Sequence, residues 1–141
     1  MVCAVAGGGS IGIDVETRRP RAPAMELAAQ YFSRFETSWI EGDPDQRFQM
    51  LWVLKEAYLK ALGVGLAGGL GSLECRIEPP SIEARVTGGA AAPNLGLYSG
   101  RGCYVGVAWL GEPRHTIRVA SWLPSGAVDT LGPFDRIAAT A

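Results

Sequence analysis

Gln46-Arg47-Phe48-Gln49-Met50-Leu51-Trp52-Val53-Leu54-Lys55-Glu56-Ala57-Tyr58-Leu59-Lys60-Ala61-Leu62 reads as one long helix. Phe48, Leu51, Leu59 and Leu62 recur on one side at helical spacing, so that side is expected against a core. Gly42-Asp43-Pro44-Asp45 supplies the start, and Gly63 and Gly65 supply the stop. Lys55 points into the apolar arc. A lysine there must snorkel to the edge or meet an anion, and a phosphate at the rim of the helix would suit it. Glu56 and Lys60 are i, i+4 neighbours; the plain reading is a surface ion pair worth ~0.3–0.5 kcal/mol.

Upstream, Val2 to Ala6 and Ile11 to Val15 are β-prone runs separated by Gly7-Gly8-Gly9-Ser10, the pattern of a β-hairpin. Its first strand starts almost at Met1, with nothing ahead to cover that edge. Ala24 to Phe35 has helical composition, with Leu27, Tyr31 and Phe35 at spacing four. Downstream, Gly68, Gly69 and Gly71 mark a flexible connection. Strand patterns follow at Ser72 to Ile77, Ile82 to Thr87, Cys103 to Leu110 and Thr116 to Leu123. Gly88 to Asn94 reads as a loop. A helical front and a strand-rich back predict an α+β domain, an antiparallel sheet packed by a long helix. That domain is expected over residues 1–124, and the weakly periodic residues 125–141 read as a poorly ordered tail.

The chain has 141 residues, enough for one domain with its own core. Its formal net charge of −1 gives no global field for nucleic acid or an anionic membrane, although a local basic cluster could still hold phosphates. Cys3, Cys75 and Cys103 are odd in number, widely spaced and without CxxC, which fits neither a disulfide framework nor a zinc site. No apolar run reaches the ~20 residues of a membrane span, and Met1 to Ala6 lacks the basic leader and long apolar region of a signal peptide. A cytoplasmic setting is expected.

Gly12-Ile13-Asp14-Val15-Glu16 carries the next chemistry. Side chains at i and i+2 of a strand share a face, so Asp14 and Glu16 point together while Ile13 and Val15 face the core. Carboxylates about 7 Å apart on one strand repel unless a cation lies between them. Mg²⁺ takes one or two carboxylates together with water and substrate phosphates. On the pentapeptide alone, a solvated acidic face on an edge strand is the plainer explanation of the pair. Joined with Glu56 and its flanking lysines, however, the carboxylates make a kit suited to attack on a phosphoanhydride.

Taken in order, the pentapeptide and Trp52-Val53-Leu54-Lys55-Glu56-Ala57-Tyr58-Leu59-Lys60-Ala61, with Gly63 and Gly65 after it, resemble the two signature motifs of the 4'-phosphopantetheinyl transferases. The family pattern is G-(I/V)-D-(I/V)-E and then W-x-x-K-E-(A/S)-x-x-K. Arg18-Arg19-Pro20-Arg21 and Tyr31-Phe32-Ser33 also resemble that family. The likeness is good over residues 1–75 and loose beyond. It implies that Asp14, Glu16 and Glu56 are Mg²⁺ ligands, and that Glu56 or a metal-polarised water deprotonates a carrier-protein serine. It implies that Lys60, Lys55 and Arg18 contact coenzyme A phosphates, with Lys60 acting beside Glu56 in catalysis. The products implied are holo-carrier protein, acyl or peptidyl, and adenosine 3',5'-bisphosphate.

Met1 to Gly9 and the Trp-Val-Leu-Lys-Glu wording resemble the second lobe of the family's long, two-lobed branch. That branch also has a first lobe and a Ser-His-Ser-like stretch before the first motif, neither of which stands in these residues. Three accounts follow. The chain pairs with itself or another polypeptide, or it is a fragment that folds and binds coenzyme A poorly, or it lost a lobe and gained a partner function. A catalytically silent homologue that binds a partner lobe or carrier protein is the competing class. A metal-dependent nuclease is a further alternative, disfavoured by the missing basic stripe and the helical third carboxylate. His115 is the single histidine and reads as a surface or turn residue, which leaves Ser10 and Ser33 without a triad.

Overall fold

The computed structural model describes residues 4, 8–19, 23–112, 121–122, 128–129 and 135–140. Strand β1 spans Ser10–Thr17. Helix α1 covers Ala24–Tyr31 and α2 covers Arg34–Ile40, where the sequence predicts one helix running on to Phe35. Ser33 explains the break. Its hydroxyl accepts from the Glu36 N–H at 3.2 Å, and the Glu36 carboxylate accepts from the Ser33 N–H at 2.9 Å. That reciprocal pair is a capping box, which starts a second helix in place of continuing the first. Helix α3 runs Pro44–Leu62: Asp43 caps it through the Gln46 N–H at 3.2 Å, Pro44 opens its first turn, and Gly63 closes it at φ 72°.

Two short 3-10 turns, Gly65–Gly68 and Leu70–Ser72, lead into β2 (Leu73–Glu78) and β3 (Ser81–Val86). Then come β4 (Asn94–Gly100), β5 (Cys103–Leu110), β6 (Ser121–Trp122), β7 (Val128–Asp129) and β8 (Asp135–Ala139). Six strands form one sheet in the order β1-β5-β4-β8-β3-β2, antiparallel except where β3 meets β8. β6 and β7 form a separate pair. This is the α+β sheet-and-helix architecture the sequence predicts. Three strands were not predicted: β4, and β7 and β8, which the sequence assigns to a loose tail; β8 here lies inside the sheet. The predicted strand at Val2–Ala6, apart from Ala4, lies outside the described residues, as does most of Thr116–Leu123 and all of His115.

Helix α3 lies on one face of β1 and β5 and builds the main core with Phe32, Ile40, Phe48, Leu51, Leu54, Leu59 and the inward residues of the sheet. Phe48 stacks between Phe32 and Trp52, at centroid distances of 5.4 and 5.5 Å, and so ties α1 to α3. Leu62, predicted in the core arc, is exposed at the last turn. On the other face of the sheet, Ile11, Ile13 and Val15 pack with Tyr98, Val105 and Val107.

Two glycines set the approach of helix to sheet. A Cβ on Gly12 would overlap the backbone of Ala57 and Ala61, and one on Gly106 would overlap the backbone of Val53 and Leu54. Gly12 pairs with Ala108 across the strands, and Gly106 with Asp14. The helix backbone therefore rests on the strand backbone at both points. Gly12→Ala is expected to cost about 1–3 kcal/mol through forced displacement. A denaturant titration checks it; an unchanged midpoint would mean the helix is not seated there.

Candidate functional site

Alternation places Asp14 and Glu16 on the α3 side of β1, because Gly12 touches the helix while Ile13 and Val15 pack on the far face. Glu56 lies three residues beyond Val53 and four before Lys60, and so neighbours both along the helix. Lys60 reaches across: its Nζ stands 2.6 Å from Asp14 Oδ1 and donates to the Ile13 carbonyl at 3.3 Å. The Lys60 side chain is 45% exposed and that of Asp14 13%. One end of the pair is thus open to solvent and the other is set in the wall.

Asp14 Oδ2 is buried and has no hydrogen-bond partner. An unsatisfied carboxylate oxygen costs about 1–3 kcal/mol, so the site retains an acceptor suited to a cation. Glu16 and Glu56 are half-buried nearby in the fold. Among the described residues, no group of three or more His, Cys, Asp and Glu side chains stands close enough to hold a metal ion. The predicted three-carboxylate cluster is not drawn together in this arrangement, in which Lys60 occupies one oxygen of Asp14. The donor chemistry still fits a hard divalent ion, through oxygen ligands with one left orphaned.

Arg18 continues the same strand face. Its guanidinium lies 4.6 Å from the centroid of Tyr104, the neighbour of Glu16 across the strands, and its backbone N–H donates to the Gly102 carbonyl at 2.8 Å. The Tyr104 hydroxyl donates to Gln46 Oε1 at 2.6 Å, and burial pushes that phenol upward from its ordinary pKa. Gln49 donates to the Arg19 carbonyl. The first half of α3 therefore holds down the end of β1 that carries Glu16 and Arg18.

Lys55 takes a place the sequence reading did not give it. Its ammonium, 1% exposed, stands 2.9 Å from Glu36 Oε1 and donates to the carbonyls of Leu70, at 3.0 Å, and Leu73. It also lies 4.9 Å from the Phe32 ring centroid. An ammonium has three protons, and all three have protein partners. This corrects the expected phosphate contact: the anion that Lys55 meets is a carboxylate of its own chain, deep in the core. The capping role of Glu36 had a visible signal, since Ser33-x-x-Glu36 is a capping-box pattern, but its pairing with Lys55 had none. Tyr104, Gln46 and Gln49 had none, because their roles arise from pairing between distant segments.

A family model, the 4'-phosphopantetheinyl transferase superfamily, matches residues 10–97. The chain is similar to the 4'-phosphopantetheinyl transferase HetI of Nostoc sp., 34% identical over 78% of this chain and 47% of that one. It is also similar to the 4'-phosphopantetheinyl transferase Sfp of Bacillus subtilis, 37% identical over 48% of this chain and 31% of that one. The chain thus spans less than half the length of these curated relatives. Among solved structures, the Helicobacter pylori holo-(acyl-carrier-protein) synthase in complex with coenzyme A superposes with a TM-score of 0.59 at 18% identity, covering 72% of this chain and 99% of that one. This last likeness shows the shared fold.

Proposed function

The chain belongs to the 4'-phosphopantetheinyl transferase superfamily, and from that premise we propose that it moves 4'-phosphopantetheine from coenzyme A to a carrier-protein serine, releasing adenosine 3',5'-bisphosphate. The observation that carries this reading is the seam between β1 and α3, where Lys60 meets Asp14 beside an orphaned carboxylate oxygen. Asp14, Glu16 and Glu56 are the residues that would hold Mg²⁺, which would supply a positive centre against the pyrophosphate charge. Lys60, exposed at the rim, offsets charge on the phosphate oxygens as the leaving group departs. Glu56 accepts the proton of the serine hydroxyl, directly or through water. Arg18 presents a guanidinium held over Tyr104 to a further phosphate. Lys55 has no part in phosphate binding.

The chain spans less than half the length of its curated relatives, and the rest of a coenzyme A cleft would lie outside these residues, in the same polypeptide, in another one or in a second copy. Among the described residues no helix is long and apolar enough to cross a membrane, and a cytoplasmic setting, beside coenzyme A and carrier proteins, suits this role. The test is to incubate the chain with coenzyme A, Mg²⁺ and apo-carrier domains of the fatty-acid, polyketide and peptide types, and then weigh the carrier. Gain of one phosphopantetheine mass is expected. A folded chain that modifies none of them, alone or with a partner lobe, would instead be a silent homologue, the reading favoured by its unclosed carboxylate cluster.

A further inference from the structure

We propose that Lys55 is a positioning residue: it locks the side of α3 turned away from β1 and so sets how Lys60 meets Asp14 and where Glu56 stands beside them. The inference rests on the transferase reading for its catalytic consequence, and on contacts alone for the lock itself. At about 100° per residue, Lys55 projects almost opposite Val53 and Ala57, the two positions whose backbone rests on Gly106 and Gly12. Helix α3 is therefore held from both sides, by bare backbone contact on one and by an ammonium on the other.

That ammonium joins four pieces of chain. It pairs with Glu36 of α2 and with the carbonyls of Leu70 and Leu73, at the last 3-10 turn and the start of β2. Glu36 in turn accepts from the Cys75 N–H at 2.9 Å through the same Oε1, and from the Ser33 N–H through Oε2. The stretch between α3 and Leu70 turns at Gly63, Gly65 and Gly69, all at positive φ, and carries one short 3-10 turn of its own. It begins three residues after Lys60. Fixing Leu70 and Leu73 fixes the far end of that stretch, and with it the last turn of α3. Filling the same volume with apolar side chains would avoid the desolvation of two charges, so the ion pair's distinctive contribution is directional: it specifies one rotation and one axial setting of the helix.

The double variant Lys55→Met with Glu36→Gln separates this role from the others. The amide introduced by Glu36→Gln keeps one oxygen that can accept from the Cys75 N–H and gives up the bond from the Ser33 N–H, while the carbonyls of Leu70 and Leu73 lose their donor. With the protein shown to be folded at the assay temperature, kcat is expected to fall between about 10- and 100-fold through misplacement of the reacting groups. The KM for coenzyme A should stay within about twofold, because no phosphate contact is removed. Hydrogen exchange should quicken at residues 63–73 and also at 12–16, across the helix. A raised KM with unchanged kcat would overturn the proposal in favour of a phosphate contact. An unchanged kcat per folded molecule would reduce Lys55 to a filler. If the parent chain modifies no carrier, the transferase reading fails on its own, and exchange still decides the lock: quickening confined to 63–73 would overturn it.

Discussion

Asp14→Asn is expected to lower carrier modification by at least about two orders of magnitude while the chain stays folded. The carboxylate has two oxygens with different neighbours: Oδ1 stands 2.6 Å from Lys60, and Oδ2 is buried without a partner. The amide keeps the size and one acceptor, but loses the charge that attracts a divalent ion and orients Lys60. Stability should hardly change, because a pair with one partner 45% exposed contributes little in water. Carrier mass after timed incubation gives the rate, and circular dichroism gives the fold. A variant that modifies carrier within about threefold of the parent would place the reactive seam somewhere else.

The largest loss of stability is expected from Lys55→Met alone. Glu36 would remain in the core, 1% exposed, with its counter-ion gone. Breaking one side of a buried ion pair costs about 3–5 kcal/mol, a large part of the roughly 5–15 kcal/mol by which domains are stable. Glu36→Gln should cost less, since the amide oxygen can still face Lys55 and the Cys75 N–H, although the Ser33 N–H loses its acceptor. Thermal melts of the two single variants and the double variant form a cycle. A strong positive coupling is expected, with the double variant better than the sum of the singles. Simple additivity would show that the two side chains do not act on each other.

How far the sequence could be read depends on the range of the interactions. The long helix was legible because its signals are local: Asp43 and Pro44 at one end, Gly63 at the other, apolar spacing between. Asp14 and Glu16 were legible as one face by strand alternation alone. The split at Ser33 was also local, and a capping box marks it, but helical composition through Phe35 hid it. β4 was missed because Asn94-Leu95-Gly96-Leu97-Tyr98-Ser99-Gly100 is rich in turn formers; it becomes a strand because β5 and β8 pair with it on both sides. β8 is likewise made by its neighbours. Lys55 shows the limit within the site. The sequence left snorkelling or an anion open for it, and only folding could show that it meets Glu36, held there by a different helix.

The close seating of α3 on Gly12 and Gly106 has a consequence for charge. Backbone against backbone leaves no gap for solvent, so Asp14, Glu56 and Lys60 stand above a floor of low dielectric. Toward the mostly buried Asp14 end Coulomb attraction is screened less than in bulk water, while the exposed Lys60 end stays hydrated. A small number of ionic side chains can then grip a polyanion that would need many more of them on an open, hydrated surface.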